Sequence, residues 1–224
     1  MKKNFILLAV LAALLALSGW AMAQTPAPAV ARAVKALPAP ATSGGMSLTE
    51  ALAQRRSVRA FAAAPVTDAE LAQLLWAAQG ITEPKHKLRT SPSAHNWYLV
   101  HVYVVAADGL WEYQPEGHKL VQFSGTDYRQ TISPQPSVKA APLSLLVVGE
   151  YDRAVQVAGD AAVGRRFVDL EAGHLTQNVL LQATALHLGA VSVGGVDPAA
   201  VQKLLALPAD RTAIYLIPVG KPKQ

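Results

Sequence analysis

The chain of 224 residues contains no cysteine. This absence excludes disulfide bonds, thiolate metal sites and a cysteine nucleophile. Charged residues are also scarce, at 16%, and aromatic residues make up only 6%, whereas hydrophobic residues make up 51%. A composition so poor in charge and so rich in apolar residues is typical of a packed globular domain and not of a disordered chain.

Long basic runs are absent as well. The formal net charge is +5, and without Lys2 and Lys3 the 20 basic residues fall to 18, against 15 acidic ones. So mild an excess does not favour a nucleic-acid partner. The histidines do not have the spacing of metal ligands. We therefore predict that the protein binds neither nucleic acid nor a metal ion.

The N-terminus has the pattern of an export signal. Lys2 and Lys3 precede an almost wholly apolar stretch over residues 5–17, and Ala21-Met22-Ala23 has the small-x-small form that signal peptidase recognises. We predict cleavage after Ala23 and a periplasmic or secreted protein. An uncleaved anchor is the alternative, because the apolar stretch nearly reaches the ~20 residues that a membrane span needs. No later segment is that long and apolar, so we predict no span after signal removal.

The rest of the chain divides into a spacer and one folded domain. Residues 24–46 are rich in alanine and proline and end in the pair Gly44-Gly45, which predicts a linker. Helix and strand patterns occupy residues 47–224, and we see no internal repeat. The predicted organisation is therefore a signal peptide over 1–23, a linker over 24–46 and a single domain over 47–224.

Helices and strands follow one another in the domain without strict alternation. Capping boxes at Ser47 and Thr67 predict two helix starts, and β-branched runs predict several strands. The predicted elements are helices over 47–56, 67–80 and 165–188, a short helix after Asp197-Pro198, a polar loop over 81–92, and strands over 98–106, 109–114, 119–123, 143–149 and 213–219. This order favours an α+β fold over a doubly wound parallel sheet.

The run Arg55-Arg56-Ser57-Val58-Arg59 follows the first predicted helix. It would place three guanidinium groups and a hydroxyl within one or two helical turns. Guanidinium forks and a hydroxyl donor match the oxygens of a phosphate. A solvated basic face is the alternative, and on a helix Arg56 would point about 100° away from Arg55.

Two further patches could complete a site with the arginine run. Pro92-Ser93-Ala94-His95-Asn96 is a polar patch that could also be a helix start with Ser93 as its cap. Gly194-Gly195 would let backbone approach a ligand closely, because a glycine has no Cβ to clash. The alternative is a simple turn before the cap at Asp197.

These patches and two helices, taken in order, resemble the nitroreductase superfamily of flavin-dependent oxidoreductases. The resemblance covers roughly residues 47–222, and its form is most similar to the branch of azoline-oxidising dehydrogenases. The motifs that carry it are Arg55-Arg-Ser-Val-Arg-Ala-Phe61, Leu74-Leu-Trp-Ala-Ala-Gln-Gly80, Pro92-Ser-Ala-His-Asn96, the helix from Gln177 to Gly189, and Gly194-Gly-Val-Asp197 with Pro218-Val-Gly220.

The resemblance implies a central, mostly antiparallel sheet flanked by helices and an intertwined homodimer with FMN at subunit-shared sites. It implies that Arg55 and Ser57 hold the flavin phosphate and ribityl chain, and that Arg59 lies near the pyrimidine edge of the ring. Ser93 and Asn96 would hydrogen-bond the ring or ribityl oxygens, partly from the other subunit. The full implied set for the cofactor is Arg55, Arg56, Ser57, Arg59, Pro92, Ser93, Ala94, Asn96, Gly194, Gly195 and Lys221.

The resemblance further implies an FMN-dependent oxidoreductase in which hydride passes through flavin N5 to or from a small organic substrate. No side chain is assigned an acid–base role, and NAD(P)H is a possible donor. The residues that could touch substrate are His95, Trp97 and Arg89. A non-catalytic flavin-binding protein and a flavin-fragmenting enzyme on the same scaffold are the alternatives.

Overall fold

The structure is a computed structural model and describes residues 32–223. The helices are α1 (Leu48–Gln54), α2 (Asp68–Gln79), α3 (Pro136–Ala140), α4 (Tyr151–Ala158), α5 (Ala161–Ala185) and α6 (Pro198–Leu205). The strands are β1 (Val34–Ala36), β2 (Ile81–Glu83), β3 (Leu88–Arg89), β4 (Val100–Ala106), β5 (Gly109–Gln114), β6 (Lys119–Ser124), β7 (Leu143–Glu150), β8 (Gly189–Ala190) and β9 (Arg211–Gly220).

Seven of the strands form one sheet in the order β1-β6-β5-β4-β7-β9-β8. Every neighbouring pair of strands in it is antiparallel. Helices lie on its faces, so the predicted α+β class with an antiparallel sheet flanked by helices is confirmed. Strands β2 and β3 form a separate hairpin.

Side chains alternate between the two faces of the sheet and build a core on each. On one face, Leu74 and Leu75 of α2 and Leu175 of α5 pack in a cluster with Val102 and Leu145. The apolar face of α2 is buried, and so are neighbouring positions outside it. The buried residues are Leu71, Ala72, Gln73, Leu74, Leu75, Ala77, Ala78 and Gln79. The other face is covered by α6 and connecting segments. Its cluster comprises Tyr103, Leu146, Leu216, Val201, Leu205 and further buried residues.

Local signals place the helix starts. Ser47 and Thr67 each accept a hydrogen bond from the backbone N–H three residues on, and Glu50 and Glu70 reach back to complete the capping boxes. Asp160 caps α5 in the same way through its side chain. The long helix therefore begins at Ala161, four residues before the predicted start, and ends at Ala185, three residues before the predicted end. Helix α4, just ahead of it, was not predicted.

The predicted linker is wrong at its C-terminal end. Strand β1 lies within residues 24–46 and pairs with β6 at the edge of the sheet, where Lys35 faces Leu120. The backbone N–H and carbonyl of Ala41 bond the side-chain amide of Gln73 at 2.8 and 3.1 Å. The folded unit therefore begins before Ser47. The alternation in Val34-Lys35-Ala36 is only three residues long, which is too short to predict a strand, and the strand depends on the hydrogen bonds that the edge of β6 supplies.

Two other expectations differ from the structure. Helix α1 ends at Gln54 with an extended Arg55 (φ −53°, ψ 124°), so Arg55 to Arg59 do not share helical turns. The predicted loop over 81–92 contains the short hairpin of β2 and β3. The predicted signal peptide over 1–23 and cleavage site after Ala23 lie outside the described residues. Within residues 32–223 no helix is long and apolar enough to cross a membrane.

Candidate functional site

The arginine run is fixed along the last strands of the sheet. Ser57 forms a parallel bridge with Ala190, and Val58 N–H donates to the Ala190 carbonyl at 3.0 Å. Further along, Ala62 N–H donates to the carbonyl of Lys221 at 2.9 Å. The absence of a side chain at Gly189 allows Val58 to pack against β8, because a Cβ on Gly189 would lie 2.5 Å from Val58 Cγ1. The run is therefore an extended ribbon held by backbone hydrogen bonds.

The guanidinium groups of this ribbon have different surroundings. Among the residues that the structure describes, no carboxylate lies within 4.0 Å of Arg55, Arg56 or Arg59. Arg56 donates instead to the carbonyls of Ala53 at 3.0 Å and Arg55 at 2.8 Å, and so satisfies the end of α1. Arg55 is half-buried and Arg59 is exposed. Positive charge without an acidic partner is the donor set that a phosphate group needs.

The glycine pair follows β8 in the chain, and β8 is the strand that Ser57 of the arginine ribbon bridges. Val193 bridges Leu216, and Gly194 follows it as an exposed residue. Ala190 and Gly194 are four residues apart, at most about 13 Å of extended chain. Neither glycine has a left-handed φ. Side chains at these positions would instead crowd Tyr215, 3.3 Å from a Cβ on Gly194, and Gln135, 3.2 Å from one on Gly195.

The polar patch over Pro92 to Asn96 lies elsewhere. Ser93 Oγ donates to Glu171 Oε2 on α5 at 2.5 Å. Glu171 is 14 residues from the end of α5 at Ala185, which is about 21 Å of helix. Ser57 contacts Ala190, beyond that end. The structure therefore brings the arginine run and the glycine pair to one region but does not bring the Pro92–Asn96 patch to them within one chain.

The segment after Pro92 has an unusual backbone. It forms a 3-10 turn over Ala94–Asn96, and His95, Asn96 and Tyr98 all have left-handed φ angles of 50°, 58° and 51°. Each such residue costs on the order of 1 kcal/mol or more, and it persists only where its surroundings enforce it. Ser93 precedes the turn but does not cap it through its side chain. A backbone this constrained indicates a functional segment.

Of the three residues predicted to touch substrate, His95 and Trp97 contact each other and Arg89 does not contact either of them. The His95 and Trp97 rings lie 4.8 Å apart between centroids, and Trp97 meets Phe167 of α5 edge-on at 6.1 Å. Phe167 also lines a cavity of about 240 Å³, and His95 and Trp97 do not. The other lining residues are Pro92, Ser93, Ala94, Leu170, Glu171 and His174. Arg89 is separate from this pair. Its guanidinium lies 4.3 Å over the Tyr98 ring, and its backbone N–H donates to Tyr98 Oη at 3.2 Å.

Lys221 is engaged by an acidic partner. Its ammonium group forms an ion pair and hydrogen bond with Glu70 of α2. Burial opposes ionisation of Glu70, but hydrogen bonds from Lys221 and Thr67 outweigh it and lower the pKa of that carboxyl. Lys221 is thus a weaker candidate for a free phosphate than Arg55, because its charge is already compensated.

Glu171 was missed by the sequence reasoning, although a signal was present. It is 4% exposed and lies four residues before Leu175 on the buried stripe of α5. An acidic residue on a buried helical stripe requires hydrogen-bond partners. Glu171 has them in Ser93 Oγ and in the backbone N–H of Val100, which donates to Oε1 at 3.3 Å. Burial raises the pKa of Glu171, and these hydrogen bonds oppose the rise.

A buried ionic cluster on the opposite face of the sheet was also missed. His101 Nε2 lies 2.5 Å from Glu150, and its Nδ1 lies 3.4 Å from Glu112. Arg211 Nη1 donates to Glu112 at 2.7 Å. Burial opposes protonation of His101, but hydrogen bonds to both carboxylates outweigh it and raise the His101 pKa. The hydrogen bond with His101 is the main cause that lowers the pKa of Glu150 to about 2.

Comparison with known proteins identifies the class to which this fold and its arginine ribbon belong. The profile of the nitroreductase family matches residues 52–221. A Methanocaldococcus jannaschii protein that bears the name of a nitroreductase is 34% identical over 186 residues, which are 79% of this chain and 91% of that protein. The chain therefore belongs to the nitroreductase family and is an oxidoreductase of that family.

Other relatives agree with this placement. The Vibrio harveyi NADPH-flavin oxidoreductase is 27% identical over 183 residues, which are 78% of this chain and 65% of that protein. A Ralstonia eutropha crystal structure assigned to the nitroreductases superposes with a TM-score of 0.80 at 30% identity, covering 85% of this chain and 90% of that one. An Anabaena variabilis chain so assigned gives 0.73 at 25% identity, with 86% and 42% covered. The predicted superfamily and its fold are thus confirmed.

Proposed function

We propose that this protein is an FMN-dependent oxidoreductase that moves hydride between a donor and a small organic acceptor. The observation that carries the proposal is the arginine ribbon. Arg55 and Arg59 have no acidic partner among the described residues, and Ser57 lies between them on a backbone held by β8. When bound, FMN would supply the hydride-accepting N5, and the protein would supply binding, orientation and exclusion of water.

Each part of the ribbon has a role in this proposal. Arg55 and Ser57 bind the phosphate and the adjoining ribityl chain through charge-assisted and neutral hydrogen bonds. Arg59 lies two residues further along and compensates negative charge at the pyrimidine edge of a reduced ring. Gly194 and Gly195, at most about 13 Å of chain beyond Ala190, give backbone N–H groups room to approach the ring.

We propose that a second copy of the chain completes the site. The Pro92–Asn96 patch carries the polar groups that the ring needs, yet it lies about 21 Å of helix away from the arginine ribbon. Several apolar side chains are exposed on the helices between the two patches, with Leu48 at 66%, Leu52 at 55% and Leu170 at 51%. Exposed apolar groups of this kind favour burial against another subunit. A homodimer would cover them and bring one subunit's patch to the other's ribbon.

The electron donor and the cellular place of the protein are part of the proposal. The Vibrio harveyi relative is named for NADPH and flavin, and we propose NAD(P)H as one donor. The N-terminal pattern favours export, so a donor outside the cytoplasm, or a substrate that is oxidised directly as in the azoline-oxidising branch, is the second arrangement. In both, the same ribbon holds the cofactor.

The proposal is tested with the purified chain lacking residues 1–23 and supplied with FMN. We expect a yellow dimer whose absorbance near 450 nm bleaches under anaerobic conditions when NADPH is added, and recovers with a quinone or nitroaromatic acceptor (a flavin absorbs near this wavelength when oxidised). Bound flavin that no donor reduces would indicate a non-catalytic binding protein. Loss of flavin with release of a fragment would indicate a destructive enzyme. A colourless monomer would contradict the proposal outright.

A further inference from the structure

Glu171 contacts both ends of the constrained segment. Its Oε2 accepts from Ser93 Oγ at 2.5 Å, and its Oε1 accepts from the backbone N–H of Val100 at 3.3 Å. The two oxygens of one carboxylate are close together, so residues 93 and 100 are brought together across a short loop. Ser93 Oγ also accepts from the backbone N–H of Tyr98 at 2.9 Å. One buried carboxylate therefore closes the loop that we call the 93–100 loop.

The 93–100 loop needs such a closure. Its internal backbone hydrogen bonds are Asn96 N–H to Ser93 O at 3.2 Å and Trp97 N–H to Ala94 O at 3.0 Å. Against these two bonds stand three left-handed residues, one of them the bulky Tyr98 with φ 51°. A left-handed conformation is unusual for a bulky residue and persists only where surrounding contacts over-determine it. Glu171 supplies the contacts on the α5 side of the loop.

Besides lining the cavity next to Pro92 and Ser93, Glu171 has its hydrogen bonds with the 93–100 loop. Glu171 is 4% exposed, and its described partners are Ser93 and Val100. A carboxylate buried to this extent is unfavourable without hydrogen-bond partners, and burial raises the pKa of Glu171. An apolar residue at the same point of the buried stripe would pack without this cost. The placement of an acid here therefore serves the loop and not the core.

We propose that Glu171 is a positioning residue that acts through Ser93 to hold the 93–100 loop in the conformation that presents Asn96 and His95 to the flavin site. This inference rests on the proposed function for the flavin, whereas the closure of the loop stands on the hydrogen bonds alone. Glu171 lies on α5 and contacts the loop directly, through Ser93 and Val100. Its loss therefore changes cofactor affinity through the position of the loop.

The test is a double-variant cycle on the full domain with FMN as the probe. Glu171→Leu and Ser93→Ala should each weaken FMN binding roughly tenfold, as loss of one hydrogen-bonded anchor would. The combined variant should be no weaker than either single one, because both remove the same closure. Glu171→Gln keeps one acceptor oxygen and should restore part of the affinity. Thr176→Val on the same helix removes a buried hydroxyl that has no partner among the described side chains, and should change nothing.

Amide exchange separates this inference from the proposed function. Exchange in residues 94–100 should become faster in Glu171→Leu and stay unchanged in Thr176→Val, whether or not FMN is present. Unchanged exchange in Glu171→Leu would overturn the inference, as would additive losses of FMN affinity in the cycle. If the unmodified protein takes up no FMN, the proposed function fails and the exchange measurement alone decides on the loop closure.

Discussion

Arginines in two regions of the molecule meet opposite conditions. Arg211 lies in the ionic cluster with His101, Glu112 and Glu150, where acidic and basic groups are matched and mostly buried. Arg55 and Arg59 lie on an extended ribbon where no described carboxylate approaches them. In the first region every charge has a partner of opposite sign within the protein, so the cluster contributes to the stability of the fold. The second is incomplete, and a bound anion would complete it. The difference separates structural from functional charge without any knowledge of the ligand.

The largest expected effect is on the complete cluster. Arg211→Met should lower the free energy of unfolding by about 3 kcal/mol, because it leaves buried carboxylates without their cation. Chemical denaturation measures this loss. FMN affinity, measured under conditions where the variant is fully folded, should stay within a factor of two. The cluster lies at the Arg211 end of β9, whereas the ribbon bridges β8 beside Val219 at the other end of that strand. An equal loss of FMN binding would remove the distinction between the two regions.

Substitution in the arginine ribbon should instead weaken FMN binding and leave stability nearly unchanged. Arg55→Ala should weaken FMN binding by about 2 kcal/mol, the contribution of a hydrogen bond to a charged group, which is roughly thirtyfold in Kd. Its stability should remain within about 0.5 kcal/mol of the unmodified protein, as for most surface substitutions. Fluorescence titration with FMN and thermal unfolding give the two values. Unchanged FMN affinity would contradict the assignment of the phosphate site.

The pH dependence of unfolding sharpens the account of the cluster. The raised pKa of His101 means that its contribution is complete below about 6.5 and is lost as the pH rises through its folded value. The pKa of Glu150, lowered to about 2, means that its contribution is complete above about 4.5 and is lost as the pH falls toward 2. Between these limits stability should be greatest, and it should fall as the pH rises above 6.5 through the folded pKa of His101. In a His101→Gln variant, the free energy of unfolding should no longer fall as the pH rises above 6.5.

Arg56 should show the smallest effect and is the matched control for Arg55. Its guanidinium already donates to the carbonyls of Ala53 and Arg55 at the end of α1. Arg56→Ala should cost less than about 0.5 kcal/mol of stability, as exposed interactions do, and should change FMN affinity by less than threefold. A loss of FMN as large as that in Arg55→Ala would mean that the whole ribbon acts as a diffuse basic face.

Local signals explain which parts of this structure could be predicted. The helix starts at Ser47 and Thr67 are each determined by a capping box that spans four residues. The strands β4, β7 and β9 are apolar enough to indicate their own burial. These features need no distant partner, and so they can be found in a single sequence.

Features that depend on distant partners could not be predicted in this way. Strand β1 exists because β6 offers an edge, and the arginine ribbon is extended because Ala190 and Lys221 supply its hydrogen bonds. The ionic cluster joins residues from four strands that only the register of the sheet brings together, with Tyr103 opposite Glu112 and Glu150 opposite Arg211. Glu171 and Ser93 are 78 residues apart. The motif residues could thus be named from the sequence, whereas their supports could not.

The central claim is that the arginine ribbon binds the terminal phosphate of the cofactor. Equilibrium titration of the unmodified protein with FMN and with riboflavin, which lacks only that phosphate, tests it directly. The account predicts that FMN binds at least tenfold more tightly than riboflavin, and that this preference disappears in Arg55→Ala but not in Arg56→Ala. Equal affinity of the unmodified protein for the two flavins would contradict it.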